Sequence, residues 1–128
     1  MPARVRIRRV YEALGEPEGY RVLVDRIWPR GLSKDKVPFD RWAKDLAPSP
    51  ELRKWFSHDP SRWEEFRIRY RRELASREGE LQDLLRAAGQ RPLTLLYGAR
   101  DKEHNQAVVL REVLEELAAG SRSFSAAD

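Results

Sequence analysis

The apolar residues change period along the chain, and the changes mark out its elements. Val5 and Ile7 alternate with Arg4, Arg6 and Arg8, the period of a strand with one buried face. The basic outer face would protect an edge strand from pairing with other chains. Glu16-Pro17-Glu18-Gly19 is a turn cluster. Tyr20–Ile27 reads as a second strand. Its unbroken run Val22-Leu23-Val24 predicts burial on both faces and a central position. After Gly31 the period becomes helical: Phe39, Trp42, Ala43 and Leu46 fall on one helical face, which ends at Ala47-Pro48. Ser49-Pro50 opens a further helix, with Ser as N-cap and Pro in the first turn, and Leu52, Trp55 and Phe56 as its apolar face. Asp59-Pro60 repeats that start signal, in competition with a capping box of Ser61 and Glu64.

The longest helical stretch carries Trp63, Phe66, Tyr70 and Leu74, continued by Leu81, Leu84, Leu85 and Ala88, with Gly79 as its expected break or bend. Gly89 ends it ahead of Pro92. Leu93–Tyr97 is apolar enough for a central third strand and stops at Gly98. Ala107, Leu110, Val113, Leu114 and Leu117 mark a last helix that ends at Gly120. The order predicts an α/β fold: a small, mainly parallel sheet of about three strands packed by four or more helices. Residues 1–120 are expected to form one domain and residues 121–128, small and polar, a disordered tail. With the helical block as a right-handed crossover, Tyr20–Ile27 and Leu93–Tyr97 run parallel. Their following loops, Asp25–Arg30 and Gly98–Asn105, then share one sheet edge, where ligands of open α/β sheets bind.

Composition narrows the function classes. The absence of Cys removes disulfides, thiol nucleophiles and thiolate metal sites together. No apolar run reaches membrane-span length and no signal-peptide core is visible, so a cytoplasmic protein without a membrane partner is expected. The net charge of +4 is uneven. Residues 1–31 hold seven Arg and four acids, a balance of +3, against 18 bases and 17 acids in the rest. That excess serves ordinary solubility, or it marks a surface for nucleic acid or another polyanion.

The first chemical cluster is Asp25, Arg26, Trp28 and Arg30, where a core strand breaks at Pro29 and Gly31. Guanidinium groups suit phosphate or carboxylate, an indole can cover the site, and Asp25 can orient Arg26 or act as a base. The structural alternative is an ion pair that ties the loop down. The second cluster runs from Tyr97 through Arg100, Asp101, His104 and Asn105 into a helix. It can cradle an anion, with His104 as a general acid or base. Alternatively, Asp101 or Asn105 caps the helix and the rest is solvated. Asp101 with His104, and His58 with Asp59, fall short of three metal ligands each, and neither a metal nor a cofactor is expected. Trp42, Trp55, Trp63 and Phe66, interleaved with bases, resemble a stacking surface, but their helical spacing makes them core. Lys44, between Trp42 and Leu46, is the exception that can reach over the sheet edge. No nucleophile motif is present.

Three stretches, VDRIWPRGLSKD, WAKDLAPSPELRKWF and LLYGARDKEHNQAVVL, resemble in content and order the YeaO-like family of small bacterial domains of unknown function. The similarity runs from about Arg4 to Leu117. It implies a compact α/β domain and no established activity.

The reading is thus a domain binding a small phosphate- or carboxylate-bearing ligand at the strand-end cleft. Arg26, Arg30 and Arg100 are its expected anchors. Trp28, Lys44, Tyr97, Asp101 and Asn105 are further ligand-binding candidates. Asp25 and His104 are the proton-transfer groups if a reaction is catalysed. The alternative is a nucleic-acid-binding module that uses the basic N-terminal strand and the same arginines.

Overall fold

The computed structural model describes residues 5–12, 19–33, 35 and 39–120. The expected tail 121–128, Arg4 and most of the Glu16–Gly19 turn lie outside the described residues. Four strands, β1 (Val5–Arg9), β2 (Tyr20–Leu23), β3 (Arg41–Trp42) and β4 (Leu93–Tyr97), form one sheet in the order β1-β4-β2-β3, and every pairing is parallel. The helices are α1 (Pro50–Phe56), α2 (Trp63–Ala75), α3 (Glu78–Ala88) and α4 (Gln106–Ala118). The two apolar runs are neighbours as predicted, with Tyr20 opposite Leu93 and Leu23 opposite Leu96. The first run pairs for a shorter length than expected: β2 ends at Leu23, and Val24 adds one last bond to the Leu96 carbonyl, 2.9 Å.

The fourth strand corrects the helix predicted over Phe39–Leu46. Arg41 and Trp42 pair with Val22 and Leu23, and Ala43 N–H reaches the Leu23 carbonyl at 2.9 Å. A 3-10 turn, Lys44–Leu46, follows. The four apolar residues do not share a face. Phe39 and Trp42 pack with Val10, Leu23, Leu96 and Trp28 in a small cluster, whereas Ala43 and Leu46 enter the main core. Their helical spacing arises because the chain wraps the sheet edge and serves both faces.

Those two clusters explain the layering. Val22, Val24, Leu93, Leu95 and Tyr97 face all four helices. Leu23 and Leu96 face the other way, under Trp28, Phe39 and Trp42, whose rings meet edge-on at 5.6 Å and 5.3 Å around Trp28. A parallel sheet needs cover on both sides, and here loop aromatics supply what a second helix layer usually does. Phe66 is buried and Trp42, Trp55 and Trp63 are half-buried. The bases that follow Phe66 on α2 are engaged: Arg67 and Arg71 bind Glu112 and Glu116 across to α4, and Arg69 binds Glu65 and covers the Trp55 ring. The core reading of these aromatics therefore holds over the stacking surface.

The long helical stretch divides at Ser76-Arg77, ahead of Gly79, which lies in the first turn of α3. There the Ser76 hydroxyl donates to the Glu73 carbonyl, 2.8 Å, and ends α2. Ser49 caps α1 as its sequence predicts, its Oγ accepting from Leu52 N–H at 3.2 Å. The same hydroxyl donates to Glu73 Oε2 at 2.6 Å, and Ser49 N–H donates to Glu73 Oε1 at 2.8 Å. Ser49 thus joins the start of α1 to the end of α2. Ser49→Ala should cost about 1–2 kcal/mol, because it removes the cap and one bond to a charged partner. Urea unfolding reads this as a lower midpoint at unchanged slope; a midpoint equal to wild type would show the cap to be dispensable.

Candidate functional site

Past Leu23 and Tyr97 the chain leaves the sheet in two directions. The segment after β2 continues toward β3, while the segment after β4 leads into α4, which packs on β1 and β4. Diverging connections at the carboxyl ends of parallel neighbours open a crevice. Here it is a cleft of about 310 Å³, completed by α1 and the turn that follows it. Of the residues singled out in the sequence, Asp25, Arg26, Trp28, Arg30, His104 and Asn105 line it together. Lys44, Tyr97, Arg100 and Asp101 do not. Lys44 is exposed and lies over the Trp42 ring, 5.1 Å from its centre. Tyr97 is buried at the end of β4, which pushes its phenol up. Arg100 is exposed beyond the cleft.

Asp25 is half-buried in the cleft wall and tethered at both oxygens. Its Oδ2 accepts from Gly98 N–H at 2.9 Å and its Oδ1 from the Gln106 side chain. Its own carbonyl accepts from the Trp42 indole N–H at 2.7 Å, which fixes the backbone under it. Burial pushes this carboxyl up to about 6, and the bonds from Gly98 and Gln106 and the charge of Arg53 only partly oppose that rise. The close approach depends on Gly98: a Cβ there would lie 2.7 Å from Asp25 Oδ2.

The expected Asp25–Arg26 pairing does not occur. Arg26 turns to the chain instead, Nε to the Pro48 carbonyl and Nη2 to the Ala47 carbonyl, both at 3.1 Å. Those carbonyls precede α1, lie outside its hydrogen-bond ladder and need donors. Nor is Arg30 held by an acid. Its carbonyl accepts from the Tyr11 hydroxyl at 2.8 Å, but its side chain is exposed and has no ion pair among the described residues. The turn at Gly31, with φ +82°, carries it to the loop crest. Trp28 has a double role: its indole N–H donates to the Leu32 carbonyl at 2.6 Å, and one part of its surface lines the cleft.

On the opposite wall, the loop before α4 is built from local bonds. Asp101 Oδ1 accepts from the backbone of Glu103 and His104, at 2.9 Å and 3.0 Å. Its Oδ2 lies 2.9 Å from His104 Nδ1. These N–H donors and the His104 ring hold the Asp101 carboxyl below its ordinary value. Asp101 therefore orients His104, whose ring also meets Trp63 edge-on at 5.2 Å. Asn105 caps α4: its Oδ1 accepts from Ala107 and Val108 N–H, and its Nδ2 donates to the Asp101 carbonyl at 2.8 Å. Both ends of that amide are occupied, so Asn105 shapes the wall as the alternative capping role requires.

Three of the polar lining side chains lie outside the ligand-binding clusters read from the sequence. Arg53 and His58 come from α1 and its end, and Gln106 from the first turn of α4. Ser57 and His58 both adopt left-handed backbone, φ 47° and 55°, where L residues are disfavoured by roughly 1–2 kcal/mol each. No glycine follows α1 to take that conformation, a weak signal that was available in the sequence. Exposure sorts the lining by depth. Ile27, Arg30, Arg53 and His58 are exposed and form the mouth, whereas Phe56, Phe66, Asn105 and Pro48 are buried below them, with Asp25 and Gln106 half-buried between. The mouth is therefore basic and the interior acidic and apolar. Among the described residues, no three His, Asp or Glu side chains gather closely enough to hold a metal ion.

No helix among the described residues is long and apolar enough to cross a membrane. Residues 4–127 match the family model described as the inactive DUF488-N3 subclade. The uncharacterized protein YeaO of Escherichia coli (strain K12) is 42% identical over 113 residues, which cover 88% of this chain and 98% of that protein. The uncharacterized protein Rv3073c of Mycobacterium tuberculosis (strain ATCC 25618 / H37Rv) is 43% identical over 111 residues, covering 87% and 93%. No solved structure matches the chain. The family model spans nearly the whole chain, which therefore belongs to the family described as the inactive DUF488-N3 subclade and is a near full-length relative of YeaO.

Proposed function

We propose that this domain binds a small anionic ligand, phosphate- or carboxylate-bearing, with the anion at the mouth of the strand-end cleft. The observation that carries the proposal is the pair Arg30 and Arg53. Both line the cleft, both are exposed, and neither forms an ion pair among the described residues. Two guanidinium groups flanking one opening favour a bidentate acceptor, and a pair of like charges gains by having an anion between them. His58 adds an imidazole at the same opening. The family's description as inactive favours binding over turnover, with Asp25 and His104 touching the ligand and no bond being broken.

The nucleic-acid alternative has weaker support. Of the N-terminal arginines that carry the charge excess, Arg9 donates to the Ala99 carbonyl and lies over Tyr11, Arg21 is paired with Asp40, and Arg26 is turned to two carbonyls. A continuous basic stripe would need those groups outward.

Phosphate or sulfate should therefore raise the melting temperature of the wild type. At about twenty times Kd the stabilisation is about 2 kcal/mol. Arg30→Ala and Arg53→Ala should each weaken binding by about tenfold, and Lys at either position should restore part of it. Arg100→Ala, outside the cleft, should leave the shift unchanged. Equal shifts in wild type and in both cleft variants would place the anion elsewhere and remove the proposal.

A further inference from the structure

Resting on that anion-binding reading, we infer that the ligand is bipolar: a phosphate ester whose far end carries hydroxyl groups, about the size of a pentose phosphate. The polarity of the cleft is the reason. Donors crowd its mouth, at Arg30, Arg53 and His58, and acceptors lie deeper. Asp25 Oδ1 and Oδ2 each accept one bond from the protein, which leaves half of the carboxylate's acceptor capacity. Gln106 donates its amide N–H to Asp25, and its Oε1 has no partner among the described residues. No cation bonds these oxygens: Arg26 is held by Ala47 and Pro48, and Arg53 acts on Asp25 only through its charge, with no ion pair to it among the described residues. An anion pushed to this depth would face Asp25. A hydroxyl would donate to it.

Size points the same way. The cleft of about 310 Å³ is at the lower end of small-molecule sites and has the volume of about ten waters. A bare phosphate at the mouth leaves most of it unfilled. The buried Phe56 and Phe66 give the intervening part of the ligand an apolar wall, suited to the carbon face of a sugar or polyol.

The test is calorimetric titration of the full chain with inorganic phosphate, ribose 5-phosphate and ribose. Wild type should bind ribose 5-phosphate about tenfold tighter than phosphate, the size of effect expected for a hydrogen bond to a charged acceptor. Asp25→Ala should bind phosphate at least as tightly as wild type, because a repelling charge has gone, yet lose most of the tenfold preference. Asp25→Asn, which keeps the shape and one acceptor, should lie between. Opposite responses to the two probes cannot come from a misfolded variant. If phosphate binds through Arg30 and Arg53 but the sugar adds nothing, or the preference survives in Asp25→Ala, the bipolar ligand is overturned and the anion site stands. If neither phosphate nor ribose 5-phosphate binds the wild type, both readings fall.

Discussion

Asp25→Asn should stabilise the protein by about 3 kcal/mol at pH 8 and by far less near pH 4. The carboxyl is raised from 3.8 to about 6, chiefly by burial. Between those values the folded state holds a proton that the unfolded state has released, so stability falls as pH rises through this window. Above about pH 6 the folded protein carries an ionised, partly desolvated carboxylate at its full cost. Below 3.8 both states are protonated and the cost is gone. Asparagine never carries the charge. Its Oδ1 can still accept from Gly98 N–H, and its Nδ2 can donate to Gln106 once that amide turns over. Urea unfolding of both proteins at pH 8 and at pH 4.5 measures the difference. A gain of equal size at both pH values, or a loss at pH 8, would show that Asp25 is not held at a cost.

A residue that destabilises its own fold needs a compensating use. Proteins commonly sacrifice stability where ligand contact requires it, and shifted carboxyls in clefts mark such places. Asp25 fits that pattern better than a loop-tying ion pair does, since its arginine neighbour in the chain is bound elsewhere. The same linkage ties ligand to pH. A mouth anion that penetrates toward Asp25 would raise its carboxyl further, whereas a hydroxyl donating to it would hold it down.

The sheet and its shared edge were legible because two largely apolar runs, Val22–Val24 and Leu93–Leu96 with Thr94 inside it, suit central parallel strands when a helical block separates them. That reasoning brought Asp25, Arg26, Arg30 and His104 to one cleft. The fourth strand was hidden because Phe39, Trp42, Ala43 and Leu46 imitate a helical face while serving two opposite faces of the sheet. Arg53, His58 and Gln106 were hidden for a different reason. They lie on helices or their ends, and only the packing of α1 and α4 against the sheet decides which of their polar side chains overlook the strand ends. Arg100 shows the converse limit. It lies two residues after Gly98 in the right loop, but its side chain is exposed outside the cleft, and loop membership alone could not reveal that.

Gly98→Ala should change sign with the residue at position 25. Gly98 is absent from the left-handed positions of this chain, so its backbone conformation suits an L residue. Where a glycine can accept alanine without strain, the substitution stabilises by about 0.4–1 kcal/mol, through the lower entropy of the unfolded chain. In the wild type that gain is overridden. The new Cβ would lie 2.7 Å from Asp25 Oδ2, and every other neighbour is 3.9 Å away or more. Asp25 is short and tethered at both oxygens, so it cannot yield without loosening its bond to Gly98 N–H or to Gln106. Displacing a buried carboxylate from its donors should cost about 2 kcal/mol. With Asp25→Ala as background the clash is absent, and Gly98→Ala should become mildly stabilising. A double-mutant cycle in urea therefore predicts a coupling of about 2–3 kcal/mol between these sites. Additive effects would mean that the glycine is not there to admit the carboxylate, and the assignment of Gly98 and Asp25 as one device in the cleft wall would fail.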